Sequence, residues 1–153
     1  MPNTYTQIYI QLIFAVKHRD SLIKASFKED LHKYISGILK NQGQKLLAIN
    51  SMSDHIHIFF GMTPEIKLAD LLRDIKSDSS TFINDNKLSS RKFHWQEGYG
   101  AFSYSKSQAQ NVVNYIINQP LHHKKETFRE EYFKFLKSFE IEYDERYLFE
   151  FYE

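Results

Sequence analysis

A chain of 153 residues with 42% hydrophobic and 25% charged residues is long enough to bury a core of its own, which excludes a disordered or low-complexity segment. It has no cysteine, so disulfides, thiolate zinc sites and a cysteine nucleophile are excluded, and a formal net charge of +1 argues against nucleic-acid binding through bulk charge alone. The N-terminus lacks a basic stretch followed by an apolar core, and no apolar run reaches the length of a membrane span, so a cytoplasmic chain with no membrane partner is expected.

From Thr4 to Val16 the apolar residues Tyr5, Ile8, Ile10, Leu12, Phe14 and Val16 alternate imperfectly and predict a strand. Ser26 as N-cap with Glu29 three residues on predicts a helix from Phe27 to about Gln42, closed by Gly43. Lys45 to Met52 and His55 to Met62 read as two strands joined by a tight turn at Ser53-Asp54. A second amphipathic helix follows from about Lys67, carrying Leu68, Leu71, Leu72, Ile75 and Phe82. Lys87 to Gly100 is polar and irregular, and Ala101 to Ser105 reads as a short strand. Helices are predicted from about Gln108, and from near Thr127 to about Phe139, the latter with Glu130 as capping-box partner. Strand, helix, two strands, helix, strand is the order of a ferredoxin-like split βαβ sandwich of the α+β class. Its antiparallel sheet is covered by helices, with further helices at the C-terminus. No repeat or linker interrupts residues 1–153, which read as one domain.

Charge is unevenly spread. From Glu140 to Glu153 the acids Glu140, Glu142, Asp144, Glu145, Glu150 and Glu153 face only Arg146, a net of −5, so the remainder carries +6. Basic residues cluster at Lys87, Arg91 and Lys92, at Lys106, and from His122 to Lys125 with Arg129. Such patches can bind phosphates even in a nearly neutral chain, although solvated surface is the commoner reading of any one of them.

The run Asp54-His55-Ile56-His57-Ile58-Phe59-Phe60 holds the chemistry. Side chains alternate along a strand, so His55 and His57 share a face and can grip one metal ion, while Ile56, Ile58 and Phe60 point the other way. Two strand histidines with ordinary hydrogen bonds are the bland alternative, but strands this apolar demand partners for buried polar groups. Tyr115 and Gln119 are spaced i, i+4 and predicted to share a polar helix face with Asn111, Asn118 and His122. A tyrosine hydroxyl with a pKa of about 10 attacks poorly at neutral pH, whereas a divalent cation can polarise a target phosphate for it. Gln119 would supply a neutral oxygen, completing a His-His-Gln set that suits Mn²⁺ and accepts Mg²⁺. Pro120 biases Gln119 away from helical backbone, so a kink is expected there.

Asp54-His55-Ile56-His57, then Trp95-Gln96-Glu97-Gly98-Tyr99-Gly100-Ala101-Phe102-Ser103, then Tyr115-Ile116-Ile117-Asn118-Gln119 with His122-His123 and Thr127-Phe128-Arg129-Glu130-Glu131-Tyr132, follow one another in an order and spacing that resemble the single-tyrosine HUH transposases. These are the small transposases of bacterial insertion sequences and their relatives associated with repetitive palindromes. The resemblance implies cleavage and rejoining of single-stranded DNA at hairpin-marked ends through a 5′-phosphotyrosine link. Tyr115 would be the nucleophile, with His55, His57 and Gln119 binding Mg²⁺ or Mn²⁺. It also implies a homodimer in which the tyrosine helix of one subunit can complete the histidine site of the other, hinged around Ser103 to Gln108. Arg73, Lys76, Lys92 and Lys106 are candidate phosphate contacts, and Trp95, Tyr99 and Phe102 candidate DNA contacts. Tyr99 and Phe102 either stack on an unpaired base or pack under the site, and Gly98 and Gly100 allow close backbone approach. The competing readings are a non-catalytic nucleic-acid-binding domain on the same fold, an inactive domesticated copy, and a nickase of the replication or plasmid-transfer type.

Overall fold

In the computed structural model, which describes residues 3–152, four strands form one antiparallel sheet in the order β2-β3-β1-β4. They are β1 (Tyr9–Ala15), β2 (Lys45–Ser51), β3 (His55–Gly61) and β4 (Gly100–Tyr104). Helix α1 (Ala25–Asn41) leads from β1 to β2, and α2 (Leu68–Asp85) from β3 to β4, which is the expected split βαβ arrangement. Three helices follow: α3 (Ala109–Ile117), α4 (Gln119–His122) and α5 (Phe128–Ser138). Among the described residues no helix is long and apolar enough to cross a membrane.

The pleat explains the layers. Leu12 and Phe14 of β1, with Ile56, Ile58 and Phe60 of β3, project to the side covered by α1 and α2. There they meet Phe27, Leu31, Ile35 and Leu39 of α1 and Leu71, Leu72 and Ile75 of α2, all buried. Each such side chain contributes roughly 1.5–3 kcal/mol on removal from water. The opposite face carries Gln11, Ile13 and Ala15 of β1 and His55, His57 and Phe59 of β3, in register as Ile13 opposite His57 and Ala15 opposite His55. Ala48 and Phe59 on that face pack against Val112 and Ile116 of α3. Every residue of β3 from His55 to Phe60 is therefore buried.

Some boundaries differ from the sequence expectations. β1 begins at Tyr9 rather than Thr4, because the sheet pairs on both sides start at Tyr9; Thr4, Tyr5, Thr6 and Gln7 are exposed. α1 starts at Ala25 with Lys24 as its cap, and Ser26 makes no capping bond. The N–H of Ile23 donates to the carbonyl of Ser53 at 2.8 Å, holding the chain so that the helix opens earlier. A 3-10 turn at Lys106–Gln108, closed by a Ser105/Gln108 capping box, occupies the segment expected to act as a hinge and precedes α3. The Thr127/Glu130 capping box of α5 is as expected, with Glu130 N–H donating to Thr127 Oγ1 at 3.2 Å.

Two contacts seat α5 and the chain after it. A Cβ on Gly100 would lie 2.8 Å from the Tyr132 hydroxyl and 2.9 Å from the Phe102 ring, so glycine is required there for α5 to approach β4. Gly98 has φ +84 with no atom near its missing side chain; it serves a turn instead. Beyond α5, Phe149 and Phe151 pack on Tyr132 and Phe128, with ring centroids 5.0 and 5.4 Å apart. The Gln96 amide clips this segment in place. Its Nε2 donates to the carbonyls of Val16 and Glu150, both at 2.9 Å, and its Oε1 accepts from Glu150 N–H at 2.8 Å.

Candidate active site

β3 delivers His55 and His57 side by side on the face turned away from α1 and α2, both completely buried, with ring centroids 5.1 Å apart. Each is oriented from behind. His55 Nδ1 meets Asp54 Oδ1 at 2.7 Å, and His57 Nδ1 meets Gln11 Oε1 at 2.8 Å, while Gln11 Nε2 donates to the Tyr104 hydroxyl at 2.9 Å. The opposite nitrogens point at one carboxylate: Glu131 Oε1 lies 3.2 Å from His55 Nε2 and 3.1 Å from His57 Nε2. The ring of Phe128 stacks on His55 at 3.9 Å, sealing that side.

Tyr115 reaches the same carboxylate, its hydroxyl donating to Glu131 Oε2. Gln119 Nε2 donates to that oxygen at 3.0 Å, and Gln119 Oε1 faces His55 Nε2 at 3.4 Å. Tyr115 and Gln119 converge, although not on one helix face as the i, i+4 spacing predicted. α3 stops at Ile117, and Gln119 opens α4 with Pro120 in its first turn, the break that proline imposes. One chain thus supplies the histidine pair, the tyrosine and the glutamine.

The electrostatics follow from burial. Burial pulls the His55 imidazole down, but its hydrogen bonds to Asp54 and Glu131 outweigh this and leave it at about 8. His57 is lowered, burial being the largest cause. Burial would raise the Glu131 carboxyl, yet the surrounding histidines, His57 first, hold it well below the usual carboxylate range. Burial and then the Glu131 charge push the Tyr115 phenol above its ordinary value, so the hydroxyl is protonated at rest.

The donor set fits a divalent cation. His55, His57 and Glu131 offer ligand atoms within 4.8 Å of one another, and the Gln119 amide oxygen lies beside them. Glu131 was not singled out from the sequence as a site residue. Its signal is a carboxylate on the apolar stripe of α5, flanked at helical spacing by Phe128, Tyr132 and Phe135. Gln11, a buried amide in an otherwise apolar strand, was missed in the same way.

The remaining candidates lie elsewhere. Lys76 and Arg73 are on α2, across the sheet from the histidines. Lys76 Nζ donates to the Gln96 carbonyl at 2.9 Å and to that of Gly98, and burial brings its pKa down to about 8. Arg73 is exposed and pairs with Asp70 and Asp74 at 3.3 and 3.5 Å. Trp95 is buried edge-on to Phe14 and Phe93, its Nε1 donating to Ser79 Oγ at 2.9 Å. Phe102 is buried under α5, stacked on Phe135 at 5.2 Å. Tyr99, Lys92 and Lys106 are exposed.

A family model described as "Transposase IS200 like" matches residues 4–119. This chain belongs to that family. As an IS200-like transposase it is a DNA-binding, DNA-cleaving enzyme of insertion-sequence type. The ISDra2 transposase TnpA of Deinococcus radiodurans is 23% identical over 118 residues, covering 74% of this chain and 84% of its own. A crystal structure of a candidate transposase from Deinococcus radiodurans R1 superposes with a TM-score of 0.62 at 21% identity, over 76% of this chain and 94% of that one. A REP-associated tyrosine transposase bound to a REP hairpin matches with a TM-score of 0.60 at 16% identity, over 79% of this chain and 72% of that one. At these identities the likeness shows the fold: a four-stranded antiparallel sheet with helices packed on it. The segment matched to the IS200-like family ends at Gln119, so Glu131 lies beyond it.

Proposed function

We propose that this transposase cleaves and rejoins single-stranded DNA at hairpin-marked ends through a 5′-phosphotyrosine link on Tyr115. His55, His57 and Gln119 would hold a divalent cation, Mg²⁺ or Mn²⁺, and residues 1–153 act as one HUH-type domain. The observation that carries the reading is the meeting of Tyr115, both histidines and Gln119 at the Glu131 carboxylate. The hairpin bound by the REP-associated relative supports hairpin ends as the substrate.

The chemistry is a phosphoryl transfer. Tyr115 Oη attacks the scissile phosphorus, and its proton leaves toward Glu131 Oε2, the atom it already faces. The bond from phosphorus to the 3′ oxygen breaks, and that oxygen takes up a proton to leave as a 3′-hydroxyl. The phosphate stays joined to Tyr115 and to the 5′ oxygen of the downstream strand. A 3′-hydroxyl from another cut reverses the step and rejoins the strands, so no outside energy source is needed. A divalent cation bound at the histidines supplies positive charge that polarises the phosphate and favours the phenolate.

Tyr115 borders an open cavity of about 490 Å³ between α3 and α5, lined by Gln108, Asn111, Tyr104, Phe135 and Lys134, which gives a strand access to the hydroxyl. Lys92 and Lys106 are exposed at the surface for phosphate contacts elsewhere on the strand, and Arg73, also exposed, would first exchange Asp70 and Asp74 for a phosphate. A homodimer, in which the tyrosine helix of one subunit can complete the histidine site of the other, would hold two DNA ends together.

The test mixes the protein with single-stranded hairpin DNA from the flanks of its own gene and Mg²⁺ or Mn²⁺. The expected result is a DNA-sized mass increase of the protein on a denaturing gel, lost in Tyr115→Phe and with a chelator. Hairpin binding without any adduct would overturn cleavage and leave a non-catalytic binding domain.

A further inference from the structure

We propose that the cavity between α3 and α5 is a base pocket. It takes the nucleobase just downstream of the cut, the one whose 5′ phosphate Tyr115 retains. The base stacks against Tyr104 and Phe139, and Tyr104 and Asn111 hydrogen-bond its edge. The inference rests on the strand-cleavage reading above and deepens it, from access to the tyrosine to choice of the nucleotide beside it.

The walls of the cavity carry it. Tyr104 ends β4, Asn111 lies on α3 one turn before Tyr115, and Phe135 and Phe139 stand one turn apart at the end of α5, Phe139 as its C-cap. They surround about 490 Å³, within the size range of small-molecule sites, and Tyr115 and Glu131 line the same space. Two near-perpendicular contacts fix the Tyr104 ring, with Phe59 at 5.9 Å and with Phe139 at 5.5 Å. Phe102 packs on Phe139 at 4.9 Å from within the core. Tyr104, Phe135 and Phe139 are thus braced from behind, yet each is only half-buried. Flat aromatic surface of this kind is what an unpaired base stacks on.

The same walls carry hydrogen-bonding capacity that the protein does not use. The buried Gln11 amide meets His57 Nδ1 through its oxygen at 2.8 Å, which turns its Nε2 toward the Tyr104 hydroxyl at 2.9 Å. That hydroxyl accepts from Gln11, and its own hydrogen meets no acceptor among the described residues. The Asn111 amide, exposed on the cavity wall, likewise has no hydrogen-bond partner among them. A hydroxyl donor beside an amide that both donates and accepts matches the mixed edge of a base. The geometry of phosphoryl transfer selects which base. In-line displacement sends the leaving 3′ oxygen to the side of phosphorus opposite Tyr115, away from a cavity that begins at the tyrosine. The downstream nucleotide stays bonded to Tyr115, so its base remains within reach of these rings before and after the cut.

Two measurements on the full chain test this. In the first, a hairpin strand that forms the Tyr115 adduct is remade with an abasic residue just past the mapped cut. The adduct is expected to form at least about fivefold more slowly, the lower end of what one base–aromatic stack contributes. An abasic residue several positions further downstream is expected to leave the rate unchanged. Equal rates on intact and abasic strands, or equal losses at both positions, would overturn the pocket while cleavage stands. The second needs no cleavage: 2′-deoxynucleoside 5′-phosphates and 2-deoxyribose 5-phosphate are titrated while the Tyr104 and Phe139 ring protons are followed by NMR. The nucleotides are expected to shift both rings and to bind at least about fivefold more tightly than the sugar phosphate. Asn111→Trp, a bulky side chain at an exposed position on the cavity wall, is expected to remove that difference. No difference in wild type, or one that persists in Asn111→Trp, would overturn the pocket without reference to cutting. Nucleotide preference in a chain that forms no adduct would sink the cleavage reading, and the downstream assignment with it.

Discussion

Glu131 divides its two oxygens between two tasks: Oε1 faces the imidazoles, and Oε2 holds the Tyr115 hydroxyl and the Gln119 amide. Replacing it with glutamine keeps the shape but removes the charge and turns one acceptor into a donor. Glu131→Gln is therefore expected to lower the rate of tyrosine–DNA adduct formation at least about 100-fold, the usual worth of a positioned proton acceptor. A single-turnover assay on hairpin DNA measures this, and an unchanged rate would remove Glu131 from the reaction. At this scale the histidine pair was legible in the sequence, because strand alternation alone puts His55 and His57 on one face. Glu131 was not, since a carboxylate inside a helix reads as solvated until something shows which way that helix turns. Trp95 shows the converse: an aromatic residue offered as a DNA contact is part of the core.

Elements set these side chains more tightly than sequence patterns convey. Pro120 separates α3 from α4, so Tyr115 and Gln119 meet through the bend and not along one helix. Thr127 announced the start of α5 because its cap is local, whereas the start of α1 is set by the long-range bond from Ile23 to Ser53, which no window of sequence contains. The seat of α5 on Gly100 is similarly non-local. Gly100→Ala is expected to destabilise the fold by about 1–3 kcal/mol, the range for overpacking, and to weaken Mn²⁺ binding by shifting the helix that carries Glu131. Urea denaturation and Mn²⁺ titration of one sample would read both. In α1, burial first and then the charge of Lys28 lower the His32 imidazole to about 4, and its Nε2 pairs with Ser51 Oγ at 2.8 Å. The folded value lies below the ordinary 6.5, so its stabilising contribution is complete above pH 6.5 and is lost as pH falls through 4. Wild type is expected to lose more urea stability than His32→Gln between pH 7 and pH 4; equal losses would show that the ring does not resist protonation.

For the molecule as a whole, the sheet order and layers were readable from element order, because a split βαβ sequence leaves few ways to bury two-sided strands. The acidic C-terminal stretch carried no such signal, and its value lies in packing rather than charge. Phe149 and Phe151 cover Tyr132 and Phe128, and Gln96 holds the intervening backbone. Removing residues 145–153 is expected to cost about 2–5 kcal/mol, the worth of two partly buried aromatic side chains with their backbone bonds. The shortened chain is expected to keep its sheet by circular dichroism while losing Mn²⁺ affinity.

The Gln96 clip also bears on timing. A chain emerging from the ribosome can pair all four strands, and so present both histidines, before α5 or the segment that Gln96 grips has been made. Such a nascent chain carries Tyr115 with neither the carboxylate beneath it nor the strap that steadies that carboxylate. Cutting by the proposed route would then wait for α5 and the segment from Phe149 to Phe151 to dock against each other.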